Sequence, residues 1–127
     1  MKVNRHDIGT FLLRIILGII FIDEGYTKFT NLSMTMGFFG HLGLPAFLVY
    51  IVAFIELVGG IAMLLGIFTE YAGIGFVVVL LGVVLTVHSP HGGFLWGHQY
   101  EMTLLFASLA LALIGPGKIA PKWARKG

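Results

Sequence analysis

Cysteine is absent from the 127 residues. Its absence excludes a structural disulfide, a CxxC redox pair, a thiolate nucleophile and a cysteine-held iron–sulfur cluster. Any redox chemistry here runs on something other than the chain's own sulfur. Charge is scarce as well: Asp, Glu, Lys and Arg make up 11% of the chain, against about a quarter in soluble domains. The sequence has no glycine-rich phosphate loop, no Ser–His–Asp constellation and no internal repeat. What fills it is apolar, with 57% hydrophobic residues and a mean hydropathy of +0.95. This is the composition of a membrane protein, and the length leaves room for one domain, residues 1–127, without a separate soluble module. The net charge of +2 comes from cations at the two ends, which orients a membrane chain and gives no grip on nucleic acid. The start, Met1-Lys2-Val3-Asn4-Arg5 before an apolar stretch, has the outline of a signal peptide. No small-x-small cleavage site follows it, and Asp23-Glu24 falls where one belongs, so it reads as an uncleaved first span.

Four apolar runs stand out, roughly 8–30, 46–68, 71–88 and 100–116. Each approaches the about 20 residues needed to cross a hydrocarbon core. The expected fold is all-α: a polytopic membrane protein, a four-transmembrane-helix bundle. Residues 31–45 read as a longer loop with Phe38 and Phe39 at the interface, and Thr69-Glu70 as a tight hairpin. Residues 89–99 form a Gly- and His-rich loop with Trp96 suited to the headgroup belt. Pro45 fits a helix start, and Gly115-Pro116-Gly117 a helix stop. Lys2 and Arg5 precede the first run, and Lys118, Lys122, Arg125 and Lys126 follow the last, while the two long loops carry no Lys or Arg. The positive-inside rule then places both termini in the cytoplasm, which demands an even number of spans and agrees with four.

At 100° per residue, one small or polar face emerges on every run. It comprises Arg14, Gly18, Phe21, Gly25 and Lys28 on the first and Ala53, Glu56, Gly59 and Gly60 on the second. On the third it is Gly75, Val79, Gly82, Thr86 and Ser89, and on the fourth Glu101, Leu105, Ser108, Ala112 and Gly115. Small residues allow close helix approach in membranes, with polar groups turned inward. Eighteen glycines produce some stripes by chance, so the charged members carry the argument.

Glu56 interrupts a run otherwise greasy enough to cross a bilayer, a costly place for a carboxylate without an internal partner or a task. With the termini inside, Arg14 lies about 9 Å from the inner side and Glu56 about 16–18 Å. An arginine side chain bridges much of that gap, so an Arg14–Glu56 ion pair is expected. Glu24 and Lys28 are i,i+4 partners with Glu first, the favourable order. Tyr100 and Glu101 reach the same outer level, as do His88, His91 and His98. The expected site is a polar pocket open to the outer face, floored by Arg14 and Glu56 and lined by Glu24, Lys28, His88, Tyr100 and Glu101. Those seven are the candidate ligand-binding residues. Glu56 and Glu101 are the candidate proton-exchanging groups, coupled to a bound redox molecule. The plain alternative is that the charges pair only to fix helix register. Asp23 projects opposite Arg14 and takes no role, and the loosely spaced histidines are assigned no metal.

The runs Leu12-Leu13-Arg14-Ile15-Ile16-Leu17-Gly18 and Glu24-Gly25-Tyr26-Thr27-Lys28 resemble the opening of the DoxX family. So do Gly43-Leu44-Pro45, Glu56-Leu57-Val58-Gly59-Gly60 with Gly66, Val87-His88-Ser89-Pro90-His91-Gly92-Gly93-Phe94, Tyr100-Glu101 and Gly115-Pro116-Gly117. Two departures stand beside the match. Glu24 occupies the histidine of an expected His-Gly-x-x-Lys, and Lys118-Ile119-Ala120-Pro121 replaces a Ser-Leu-Asp-like tail. The resemblance implies a four-span protein of the prokaryotic plasma membrane that binds a quinone or similar hydrophobic molecule. It also implies a role in oxidative-stress defence or in quinone and sulfur redox metabolism, as the membrane subunit of an oxidoreductase with a soluble redox enzyme as partner. Two other readings stay open: a non-enzymatic scaffold docking such enzymes through Lys118 to Gly127, and a small proton-coupled transporter, which would need a homo-oligomer.

Overall fold

Asn4 starts the first helix. Its side chain accepts from the Asp7 amide while Asp7 accepts from the Asn4 amide, each at 3.0 Å, closing a reciprocal capping box. The computed structural model, which describes residues 2–87 and 98–124, follows α1 from there over Arg5–Thr30. The remaining helices are α2 (Leu32–His41), α3 (Phe47–Leu65), α4 (Thr69–Thr86) and α5 (Gln99–Ile114), with a 3-10 turn at Lys122–Ala124. Among the described residues the protein is all-α. Helices α3 and α4 are long and apolar enough to cross a membrane. Helix α1 is long enough but carries charges along its length, and α5 is apolar but has 16 residues.

Residues 31–45, expected as a loop, contain α2. Asn31 ends α1, its amide donating to the Thr27 carbonyl, and the chain resumes helix within one residue. Leu, Met and Phe favour helix there, but the short segment has no polar face to announce itself by period. The turn between α3 and α4 also sits earlier than Thr69-Glu70, which already belongs to α4. Gly66 makes it, with φ +76°. The Ile67 amide reaches the Ala62 carbonyl and the Gly66 amide the Met63 carbonyl, the Schellman pattern in which glycine takes the left-handed position.

Packing pairs α1 with α3 and α4 with α5, and α3 against α4 joins the two pairs. The α1–α3 crossing depends on Gly18 meeting Gly60. A Cβ on Gly18 would lie 2.9 Å from the Gly60 carbonyl oxygen, and one on Gly60 would lie 2.8 Å from the Gly18 oxygen. Such backbone-to-backbone approach is what small residues permit in helices that face lipid. Phe76 of α4 enters from the other side and stacks on Phe21 with centroids 3.7 Å apart. Leu17, Met63, Leu80, Leu104 and Leu111 complete the core.

The faces expected on the first two runs are buried, Lys28 being only half-buried. On the third run the expected face holds only in part: α4 buries Thr69, Ala72, Gly73, Phe76, Val79, Leu80 and Val84, sharing Val79 with the expected stripe, while Gly82 is open to the outside and Ser89 lies outside the described residues. Volume decides here. Phe76 plugs the centre of the bundle, and its position on the helix rotates the glycine stripe outward. Helix α5 turns Leu104, Leu105, Ser108 and Leu111 inward, sharing Leu105 and Ser108 with the expected stripe.

After α5 the chain folds back on α1. Asp7, ahead of the apolar run 8–30, accepts the Lys118 amide at 3.1 Å as well as that of Asn4. These donors hold its carboxylate below the ordinary range, the Asn4 amide most strongly, and partial burial opposes them. A folded-state pKa below the unfolded one gives stabilisation that is present above the unfolded value and lost as pH falls through the folded value. Thermal melts in detergent should therefore lose stability on acidification below about pH 4, and Asp7→Asn should remove the part due to this group. At the helix crossing, Gly60→Ala should cost about 1–3 kcal/mol through overpacking. Gly9→Ala, where nothing lies within 4 Å of the new methyl, should be neutral or stabilising in the same melts.

Candidate functional site

Two cations on one face of α1 are drawn into the interior by different partners. Arg14 is 1% exposed. Its Nε donates to the Met63 carbonyl at 2.9 Å and one terminal nitrogen to the Leu64 carbonyl at 3.3 Å, both in the last turn of α3. The other terminal nitrogen donates to Pro116 at 3.0 Å and to Ile119. The guanidinium thus caps α3 where its dipole favours a cation and ties down the chain after α5. It also lies over the Phe11 ring, 5.3 Å from its centroid. A side chain at Gly66 would meet it, since a Cβ there would be 2.6 Å from the guanidinium.

Arg14 therefore does not pair with Glu56, contrary to the sequence expectation. Glu56, 4% exposed, pairs with Lys28: Nζ lies 2.8 Å from Oε1. The same ammonium sits 3.5 Å from Glu24 Oε2, the i,i+4 contact that was expected. Helix direction explains the exchange of partners. Side chains lean toward the N-terminus of their own helix. Gly25 is level with Ala53 and Leu57, because a Cβ on it would lie 2.8 Å from the Ala53 oxygen and 2.7 Å from the Leu57 nitrogen. Lys28, one turn beyond Gly25, leans back onto Glu56. Arg14 leans the same way along α1, which takes it away from Glu56 and onto the end of α3.

The result is two carboxylates around one ammonium, with Glu56 buried, Lys28 half-buried and Glu24 partly exposed. Fully ionised, it is one positive charge short of neutrality, and a proton or a ligand's donor group would complete it. Tyr100, exposed at the head of α5, lies within range of the Glu24 charge, with Glu101 and Asp23 behind it. Glu101 is half-buried. His98 precedes it, buried, with Nδ1 making no hydrogen bond among the described residues. Of the seven candidates, Glu24, Lys28 and Glu56 come together, while Tyr100 and Glu101 lie in the first turn of α5. Arg14 belongs to the other end of the bundle, and His88 lies outside the described residues, as does His91. Sequence reasoning missed the Lys28–Glu56 pair and the Asp7–Lys118 clamp. The lean of helix side chains was the available signal for the first, and the Asn4-x-x-Asp7 spacing for part of the second.

The family model described as DoxX matches residues 9–89. CatD of Bacillus subtilis, which carries the provisional name of an oxidoreductase, is 41% identical over 109 residues, covering 86% of this chain and 81% of its own. The inner membrane protein YqjF of Escherichia coli is 30% identical over 119 residues, covering 87% of each. The uncharacterized membrane protein Rv3486 of Mycobacterium tuberculosis is 29% identical over 122 residues, covering 84% of this chain and 74% of its own. No solved structure matches the chain.

Breaking the central pair by Lys28→Met should cost about 3–5 kcal/mol, because it strands a buried carboxylate. Lys28→Met with Glu56→Gln should recover much of that loss, and a double-mutant cycle on thermal unfolding reads the difference. Arg14→Lys should lose at least about 1.5–3 kcal/mol, the worth of one charge-assisted bond, since an ammonium cannot reach four carbonyls as the guanidinium does.

Proposed function

From the premise that this chain is a membrane protein belonging to the DoxX family, we propose that it binds a quinone or a similar small hydrophobic redox molecule at the Glu56 end of the bundle. On this reading α1, α3, α4 and α5 are four spans of the prokaryotic plasma membrane, with both termini cytoplasmic. The site then lies toward the outer half of the bilayer. The observation that carries the proposal is Glu56 itself, a carboxylate kept inside an apolar helix beside a single ammonium shared with Glu24. Such a group suits proton exchange with a ligand whose oxygens gain or lose protons on redox change. Lys28 and the Tyr100 hydroxyl offer donors to a quinone oxygen, and Glu56, with Glu101 nearer the mouth, relays the proton. Electrons would come from a soluble redox enzyme docked at the membrane, the arrangement that suits an oxidoreductase membrane subunit. The oxidoreductase name of CatD supports the reading, and the missing cysteines are no obstacle to it.

A second reading draws on the same carboxylate: a proton-coupled carrier, which would need two copies to enclose a path. Flux of a substrate in vesicles with and without a pH gradient separates it from the first.

The direct test is titration of the purified protein with a short-chain quinone, followed by fluorescence quenching or calorimetry. Binding should weaken about tenfold or more in Glu56→Gln, the scale of one lost charge-assisted contact, while Arg14→Gln should affect stability before affinity. A wild-type protein that neither binds nor turns over any quinone would remove the proposal.

A further inference from the structure

The opposite end of the bundle carries a feature that the Glu56 site does not use. The chain after α5 lies flat across the helix ends, held by Arg14 to the Pro116 and Ile119 carbonyls and by Asp7 to the Lys118 amide. That fixed path sets Trp123 edge-on to Phe68 of the α3–α4 turn, with centroids 5.9 Å apart, and Tyr71 is tilted against Phe68 at 6.4 Å. All three rings remain exposed. They continue directly into the exposed apolar sides of α3 and α4, through Leu65 and Ile74.

Cations gather at the same end of the bundle as this aromatic rim. The Lys118 ammonium donates to the Lys2 carbonyl at 3.4 Å, which brings those two residues together. Arg5 opens α1 beside them, and Lys122 adjoins Trp123. All four are exposed. Among the described residues, the carboxylates at this end are Asp7, buried and engaged by two amides, and Glu70, half-buried near Gly115.

We infer that this end is a binding surface for anionic phospholipid, with Lys2, Arg5, Lys118 and Lys122 on the phosphate and Trp123, Phe68 and Tyr71 against the glycerol and upper acyl region. Aromatic rings of this kind settle at headgroup level, and each cation near an anionic membrane surface adds attraction of about the same size. A soluble acidic partner would satisfy the cations but would leave the aromatic rim and the apolar helix sides below it unmatched. A phospholipid matches both at once. The inference is independent of any ligand at Glu56.

The test uses the full chain in a Trp96→Phe background, which leaves Trp123 as the sole indole of the two. Quenching of Trp123 by brominated phosphatidylglycerol is compared with quenching by brominated phosphatidylcholine in mixed micelles. The anionic lipid should quench at about fivefold lower mole fraction or less, the effect of one favourable cation contact, and the preference should fade at high salt. Replacing Lys2, Arg5, Lys118 and Lys122 together by Gln should abolish the preference while helical circular dichroism is retained. Inorganic phosphate added to the phosphatidylcholine micelles should leave the Trp123 signal unchanged. Equal quenching by the two lipids would overturn the inference. So would a preference that survives high salt or the fourfold substitution, or a response to free phosphate equal to that of the lipid.

Discussion

The bundle depends on two cations of α1 being satisfied at different levels of α3, Lys28 at its middle and Arg14 at its C-terminal end. An ionised residue at the centre of a membrane-capable helix costs about 2.5–3.5 kcal/mol by insertion scales, so Glu56 needs a partner, and the buried Arg14 guanidinium needs acceptors of its own. Arg14 finds four carbonyls, and Glu56 finds Lys28. The two solutions differ in consequence. Arg14 receives fixed backbone dipoles that cannot titrate, so its end is a rivet. Lys28 receives two carboxylates that can, so its end is chemically open.

Between those levels the α1–α3 crossing supplies the precision. Gly18 and Gly60 let the two backbones touch, and that contact fixes the register that sets Gly25 beside Ala53 and Leu57. A slip of one turn, about 5.4 Å, would carry Lys28 out of reach of Glu56. Packing and electrostatics are therefore one constraint: the glycines place the ion pair, and the ion pair penalises any other register. Helices α4 and α5 close the interior with Phe76 on Phe21 and bring Tyr100 and Glu101 toward the open end.

Much of this was legible in the sequence, and the failures have physical causes. The apolar runs located α1, α3, α4 and α5 because hydrophobic length is a property of each segment alone. The inward faces of α1 and α3 were legible because charged and small residues coincide on them. The face of α4 was only partly so, since a large ring took the interior position that the glycine stripe had suggested. The Glu24–Lys28 contact lies within one helix and follows from spacing. The partner of Glu56 depends on the register between two helices, which periodicity leaves undetermined. Distance along the axis suggested Arg14, and the tilt of side chains toward the helix start reversed the choice. Helix α2 escaped notice because it is short and apolar on most sides.

The account rests on Lys28, rather than Arg14, being the cation that meets Glu56. Solid-state NMR of the protein in lipid bilayers, with 15N-labelled lysine and arginine and 13C-labelled glutamate, measures this pairing directly. The Glu56 carboxyl carbon should show dipolar coupling to Lys28 Nζ corresponding to about 4 Å or less and none to the Arg14 guanidinium. A Glu56 carboxyl coupled to Arg14, or to neither cation, would contradict it.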